Sequence, residues 1–165
     1  MNTIENQINL LKGEIKITFP LDTPPSQNEI TECDCWECKE IRAKFQKIAW
    51  WLAEPELLKS EDVELTLFSP KAFHYFFPAY MLISLESFVP ENPILYKAVS
   101  ALSPTKTPPD DAHYLKRVSQ FTATQVKVII QFLELILQDE RMYDLYADVE
   151  RGLKKFWKKN SLNYF

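Results

Sequence analysis

The sequence predicts an all-α fold: a single compact helical domain over residues 1–165, with about six to eight helices around a central helix at 122–138. Three observations carry this. Only two glycines, Gly13 and Gly152, occur in 165 residues, too few for the many positive-φ turns that an all-β chain needs. Apolar residues recur at helical spacing in most segments. The eleven prolines fall mostly between periodic segments or at first turns of helices, where proline is tolerated.

The elements follow in order. Ile4, Ile8, Leu11 and Ile15 outline a first amphipathic helix over 3–17, with Gly13 as an early stop. Pro20 to Pro25 reads as a loop, and Ser26-Gln27-Asn28-Glu29 as a capped turn. A longer helix is expected from Asp34, the N-cap, with Glu37 three residues on. Cys35, Cys38, Ile41, Phe45, Ile48 and Leu52 form its stripe. Pro55 opens a turn through Leu58, and Val63, Leu65 and Leu67 suit either an extended or a helical segment. Ser69-Pro70 restarts a helix whose Ala72, Phe73, Phe76 and Phe77 face inward. At Pro78 a kink is expected, or one helix ending and another running to about Phe88. Pro90 and Pro93 flank a loop, 94–102 is a short helix, 103–111 a Pro/Thr/Asp loop, and 112–118 one more helical turn.

The central helix is the most strongly marked. Val126, Ile129, Ile130, Leu133, Ile136 and Leu137 form one stripe, and Val128, Phe132 and Leu135 fall off it. A helix apolar around most of its circumference is covered on several sides. Thr122 and Gln125 form a capping box at its start. Met142, Leu145, Tyr146, Val149, Leu153 and Phe156 mark a final helix to about Lys158.

A chain of this length with 46% hydrophobic residues can bury a core without staples. No uninterrupted apolar run approaches a membrane span, and the first residues lack the basic start and apolar stretch of a signal peptide. An odd number of cysteines, three within six residues, does not resemble a secreted disulfide framework. A cytoplasmic location is expected. The net charge of −4 conceals an asymmetry. Arg151, Lys154, Lys155, Lys158 and Lys159 against Glu150 give a local +4, which leaves about −8 elsewhere. Such a body repels nucleic acid and attracts a basic partner.

Cys33-Asp34-Cys35-Trp36-Glu37-Cys38 is the sharpest chemical motif. Three thiols at a helix start suit a soft divalent metal, zinc first, because a helix N-terminus favours thiolate and C-x-x-C presents two sulfurs from one turn. The fourth ligand would come from His74, His113 or a carboxylate such as Glu32. A redox reading uses Cys35 and Cys38 as a dithiol. The residues themselves favour packing thiols over a metal, since Cys35 and Cys38 share a stripe with Ile41 and Phe45.

Two stretches carry a family resemblance. Asp34-Cys35-Trp36-Glu37-Cys38-Lys39-Glu40-Ile41 and Ser69-Pro70-Lys71-Ala72-Phe73-His74-Tyr75-Phe76-Phe77-Pro78-Ala79-Tyr80 resemble an uncharacterised bacterial family. That family is marked by an acidic-Cys-x-Glu-Cys stretch and a Ser/Thr-Pro-x-Ala-Phe-x-Tyr-Phe-x-Pro-Ala-Tyr stretch. Its members often carry His at the position of Cys33, an exchange a metal ligand tolerates, so the resemblance adds weight to the zinc reading. It implies no activity and gives His74 no ligand role.

Other candidates have plain structural readings. The aromatic block 73–82 suits a binding face or a core packed around a proline. Lys154-Lys155-Phe156-Trp157-Lys158-Lys159 suits an anionic surface, or a helix C-terminus whose cations offset its dipole. Asp139, Glu140, Asp144 and Asp148 suit a cationic partner, or a solvated face. No phosphate-binding glycine loop, Gly-x-Ser-x-Gly elbow or His-Glu-x-x-His is present. The carboxylate pairs Glu54/Glu56 and Asp110/Asp111 sit beside prolines. The expectation is a non-enzymatic module that binds another protein, with no nucleic-acid or membrane role. Its most concrete form is a neutraliser of a basic toxin through Asp139, Glu140, Asp144 and Asp148. The alternative is a zinc-stabilised helical module on Cys33, Cys35 and Cys38, and the third reading is a cysteine-based redox protein.

Overall fold

The computed structural model describes residues 3–104 and 112–161. Of the loop expected at 103–111 only Ser103 and Pro104 are among them, and the pair Asp110/Asp111 lies outside. Among the described residues the architecture is all-α: α1 (Ile4–Thr18), α2 (Trp36–Phe45), α3 (Pro55–Leu58), α4 (Pro70–Glu86), α5 (Pro93–Leu102), α6 (Ala112–Val118), α7 (Ala123–Leu137), α8 (Tyr146–Gly152) and α9 (Lys158–Ser161). Four 3-10 turns and a π turn at Leu153–Trp157 connect or extend them. The one pairing of extended backbone among these residues is an isolated antiparallel bridge between Thr31 and Phe68. Among the described residues no helix is long and apolar enough to cross a membrane.

Helix α7 is sheathed as its sequence implies. It packs on α1, α8 and the C-terminal turns, and its capping box forms, with Thr122 Oγ1 and Gln125 Oε1 each accepting the other's backbone N–H. Helix α4 lies deeper still, since every residue from Phe76 to Leu85 is buried. Helices α1, α5 and α6 lie against it. Ser69 Oγ caps it by accepting the N–H of Ala72 at 3.1 Å, with Pro70 in the first turn.

Pro78 does not end α4. The helix continues through it to Glu86, although a proline there leaves the His74 carbonyl without its helical donor. Tyr80 Oη and Ser84 Oγ, one turn apart, are also buried without a hydrogen-bond partner among the described residues. Each such group costs about 1–3 kcal/mol. Burying each of Phe76, Phe77, Met81 and Leu82 returns about 1.5–3 kcal/mol. Apolar burial wins, and the proline is tolerated.

Two expectations shift elsewhere, and one open segment is resolved as helical. Gly13 does not stop α1, which runs on to Thr18. Helix α2 ends at Phe45 instead of reaching Leu52, because Lys47 adopts a left-handed backbone (φ 60°). A separate 3-10 turn at Trp50–Leu52 follows, which buries Trp50 and leaves Leu52 exposed. The segment around Val63–Leu67 is a 3-10 turn at Leu65–Leu67. Its approach is stapled by Lys97, whose ammonium donates to the carbonyls of Leu58, Ser60 and Val63 at 3.3, 2.6 and 3.1 Å.

Aromatic contacts fix α2 to this core. Phe45 meets Phe68 and Phe76 edge-on, with centroids 5.0 Å apart in both cases. Ile41, one turn earlier, is fully buried. The C-terminal half of α2 is therefore held from below, and Cys38 carries the buried face on towards its start.

Gly13 offers a direct stability test. It is exposed within α1, and an added Cβ would meet nothing within 4 Å. Gly13→Ala should stabilise the protein by about 0.5–1 kcal/mol, since glycine loses more backbone entropy in a helix. Chemical denaturation would show the midpoint rising, and a fall would contradict a continuous α1.

Candidate functional site

The loop that precedes α2 is anchored at several points before it reaches the cysteines. The Ser69 N–H donates to the Ile30 carbonyl at 2.8 Å, and the Ser69 hydroxyl donates to the Glu29 carbonyl. Glu29 ties this turn to α4. Its Oε1 accepts from Lys71 Nζ at 2.6 Å, while Oε2 accepts from the N–H and hydroxyl of Ser26. These bonds, Lys71 first, hold its carboxyl down at about 2, from the ordinary 4.5.

Beyond Thr31 the chain presents three sulfurs together. Cys33 and Cys38 are joined as a disulfide with Cα atoms 6.0 Å apart. Cys35 is a free, exposed thiol whose Sγ lies 2.9 Å from Sγ of Cys33. All three Sγ atoms lie within 4.8 Å of one another. Cys38 is buried on the stripe that holds Ile41 and Phe45, while Cys33 and Cys35 face solvent. Packing alone thus accounts for Cys38 and not for the other two.

The N-cap of α2 is Cys35, one residue later than expected. Its Sγ accepts the N–H of Cys38 at 3.4 Å. Asp34 is drawn away from that role by Arg42, whose Nη2 donates to Asp34 Oδ1 at 2.9 Å. Arg42 Nη1 also donates to the Cys33 carbonyl at 2.7 Å and to Thr31 Oγ1 at 2.8 Å. One guanidinium thus fixes three residues of the loop, Thr31, Cys33 and Asp34. Arg42 belongs to no motif in the sequence that marks this role. The signal was its spacing, since a residue four beyond Cys38 lies on the same helix face.

The other expected ligands are engaged elsewhere. His74 Nε2 lies 2.8 Å from Gln125 Oε1, which joins α4 to the capping box of α7. His113 Nε2 lies 3.1 Å from the carbonyl of Thr66. Glu32 pairs with Lys116 at 3.6 Å. Among the described residues, the grouping of close ligand atoms at this site holds only the three cysteines.

A family described as being of unknown function, DUF6714, matches residues 19–161. The chain belongs to this family. The match takes in the cysteine cluster and every helix after α1. No curated protein and no solved structure matches the chain.

Elsewhere in this DUF6714 chain, the acidic quartet divides in two. Asp139 is buried, caps the turn at Glu140–Leu145, and is gripped by Arg141 through bonds of 2.6–3.1 Å. That grip holds its carboxyl below the ordinary range. Asp148 pairs with Arg151 at 2.5 Å. Glu140 and Asp144 are exposed on either side of Tyr143, itself 68% exposed. In the basic tail Trp157 packs inward and donates its indole N–H to the Leu102 carbonyl at 2.8 Å, while Lys158 pairs with Glu134 at 2.7 Å. The aromatic block 73–82 lies within α4, and apart from the half-buried His74 and Tyr75 its residues are buried. Glu54 precedes α3 and Glu56 pairs with Lys59.

Glu29 predicts a pH response. Its folded value lies below the ordinary 4.5, at about 2, so its ionised form stabilises the native state above about pH 4.5. That contribution is lost as pH falls towards 2. Glu29→Gln should therefore destabilise the protein at neutral pH and flatten the stability curve between pH 4.5 and 2. Urea titrations across that window would check it, and parallel curves for both proteins would count against the Glu29–Lys71 tie.

Proposed function

We propose that the protein is a helical zinc-binding module whose reduced Cys33, Cys35 and Cys38 hold one metal ion. The observation that supports this is the convergence of three sulfurs within 4.8 Å, two of them exposed, at the start of a buried-face helix. Sulfurs that share one tetrahedral zinc at bond lengths of about 2.3 Å stand about 3.8 Å apart, so small side-chain movements suffice. Three thiolates fall short of the four that iron–sulfur clusters take. Their softness disfavours magnesium or calcium.

The surroundings suit the same ion. Three thiolates and one Zn²⁺ leave a residual negative charge, and the Arg42 guanidinium, bonded to the Cys33 carbonyl, brings a positive charge to the same loop. The N–H of Cys38, already directed at Cys35 Sγ, stabilises a thiolate ligand. Among the described residues His74, His113 and Glu32 are engaged elsewhere, and water would fill the fourth position. The metal would clamp the loop at 33–35 to α2 and lower the entropy of that loop in the folded state.

A second reading, docking of a basic protein partner such as a toxin, is supported by the exposed Tyr143 between Glu140 and Asp144. Aromatic residues supply contact area and carboxylates steer a cation. Asp139 and Asp148, already paired with arginines, contribute charge balance there.

The zinc reading is checked by elemental analysis of protein reduced and purified without chelators. One zinc per chain is expected, with a higher melting temperature than the metal-free form. Cys35 is exposed, so Cys35→Ser leaves the fold intact while loading falls below one equivalent. Substoichiometric zinc in the parent, or no thermal shift on removing it, removes the reading. For the docking reading, Glu140→Lys with Asp144→Lys should abolish capture of a basic protein from the native host. Unchanged capture by the double variant eliminates that surface.

A further inference from the structure

The disulfide and the proposed zinc ion compete for the same atoms. Cys33 and Cys38 are bonded to each other, and Cys35 Sγ sits against Cys33. A sulfur in a disulfide carries no thiolate charge to give a metal, so the centre holds either the bond or the ion. The scaffold around it serves both states. Ile41 and Phe45 fix α2 from below, and Arg42 fixes the loop through the Cys33 carbonyl and Asp34. None of these contacts uses a sulfur.

We propose that this centre is a redox-gated zinc site, in which closing the Cys33–Cys38 bond expels the metal and reopening it restores binding. The inference rests on the zinc reading above and adds how that site is regulated. The oxidant is a small disulfide of the glutathione type, which approaches from solvent. Exposure assigns the order of events. Cys33 is exposed and Cys38 is fully buried, so the Cys33 thiolate attacks one sulfur of the oxidant and releases the first small thiolate. A mixed disulfide then stands on Cys33. The Cys38 thiolate attacks Cys33 Sγ from within and displaces the second small thiolate. Two protein thiolates are oxidised and one external disulfide is reduced, so the electrons balance. The zinc ion leaves with two of its three ligands gone. Cys35 remains a thiol at the surface, in contact with Cys33, and serves again as the third ligand once an external dithiol reduces the bond.

The experiment uses the full chain, reduced and loaded with zinc under anaerobic conditions, in buffer with a chromophoric zinc indicator. Glutathione disulfide is added to one sample and withheld from another. The expected result is release of one zinc per chain only in the oxidised sample, in step with loss of two of the three titratable thiols. Peptide mapping should find Cys33 joined to Cys38 and Cys35 free for alkylation, and reduction with added zinc should restore loading. Cys35→Ser should still close the Cys33–Cys38 bond. If the reduced chain takes up no zinc, the zinc reading and the gate both fall. Should zinc bind and stay bound after oxidation, or leave with Cys35 in the new bond, the gate alone is overturned.

Discussion

The burial of α4 on all sides is the constraint from which the rest of the molecule follows. A ten-residue run with no solvent-facing position, from Phe76 to Leu85, must be covered by neighbours around its whole circumference. Helices α1, α5 and α6 supply that cover, and Phe45 of α2 closes it near Phe68 and Phe76. The same burial outweighs the missing bond at Pro78 and the unpaired hydroxyls of Tyr80 and Ser84. Interiors pack at crystal-like density, so α4 also sets where each covering helix can lie.

The cysteine centre depends on that core without being part of it. Glu29, Ile30 and Thr31 are tied to the start of α4 and to Phe68, and α2 is pinned through Ile41 and Phe45. Arg42 bridges the two. The loop that carries Cys33 and Cys35 is thus short, exposed and held at both ends. This combination leaves sulfurs reachable from solvent while their spacing stays set. A metal site needs preset spacing, and thiol exchange needs access. Both proposed chemistries would draw on this one place.

The sequence is legible wherever local chemistry decides. Capping at Thr122 and Ser69 places helix starts, because a side-chain oxygen bonds a backbone N–H a few residues on, whatever surrounds it; at Ser26 the Glu29 carboxylate three residues on accepts the backbone N–H instead. The periodicity of residues 126–137 identified a helix covered on several sides for the same reason. The reading was weaker where two local signals compete. Pro78 and Gly13 are breakers by propensity, yet burial or helix continuity overrode each of them. At Cys35 and Asp34, either residue can cap α2, and a third residue eight positions beyond Asp34 settled the choice.

By itself, then, the sequence determined the helical class, most helix starts, and the meeting of three thiols near one helix end, since each follows from spacing within a few residues. Only the tertiary structure decided that α4 is buried throughout, and that His74 bonds the cap of α7. It alone set Arg42 over the loop and left Glu140 and Asp144 exposed while Asp139 is enclosed. The physical reason is range. Capping and periodicity act over one or two helical turns, whereas burial and long side-chain bonds depend on which distant segments the core brings together.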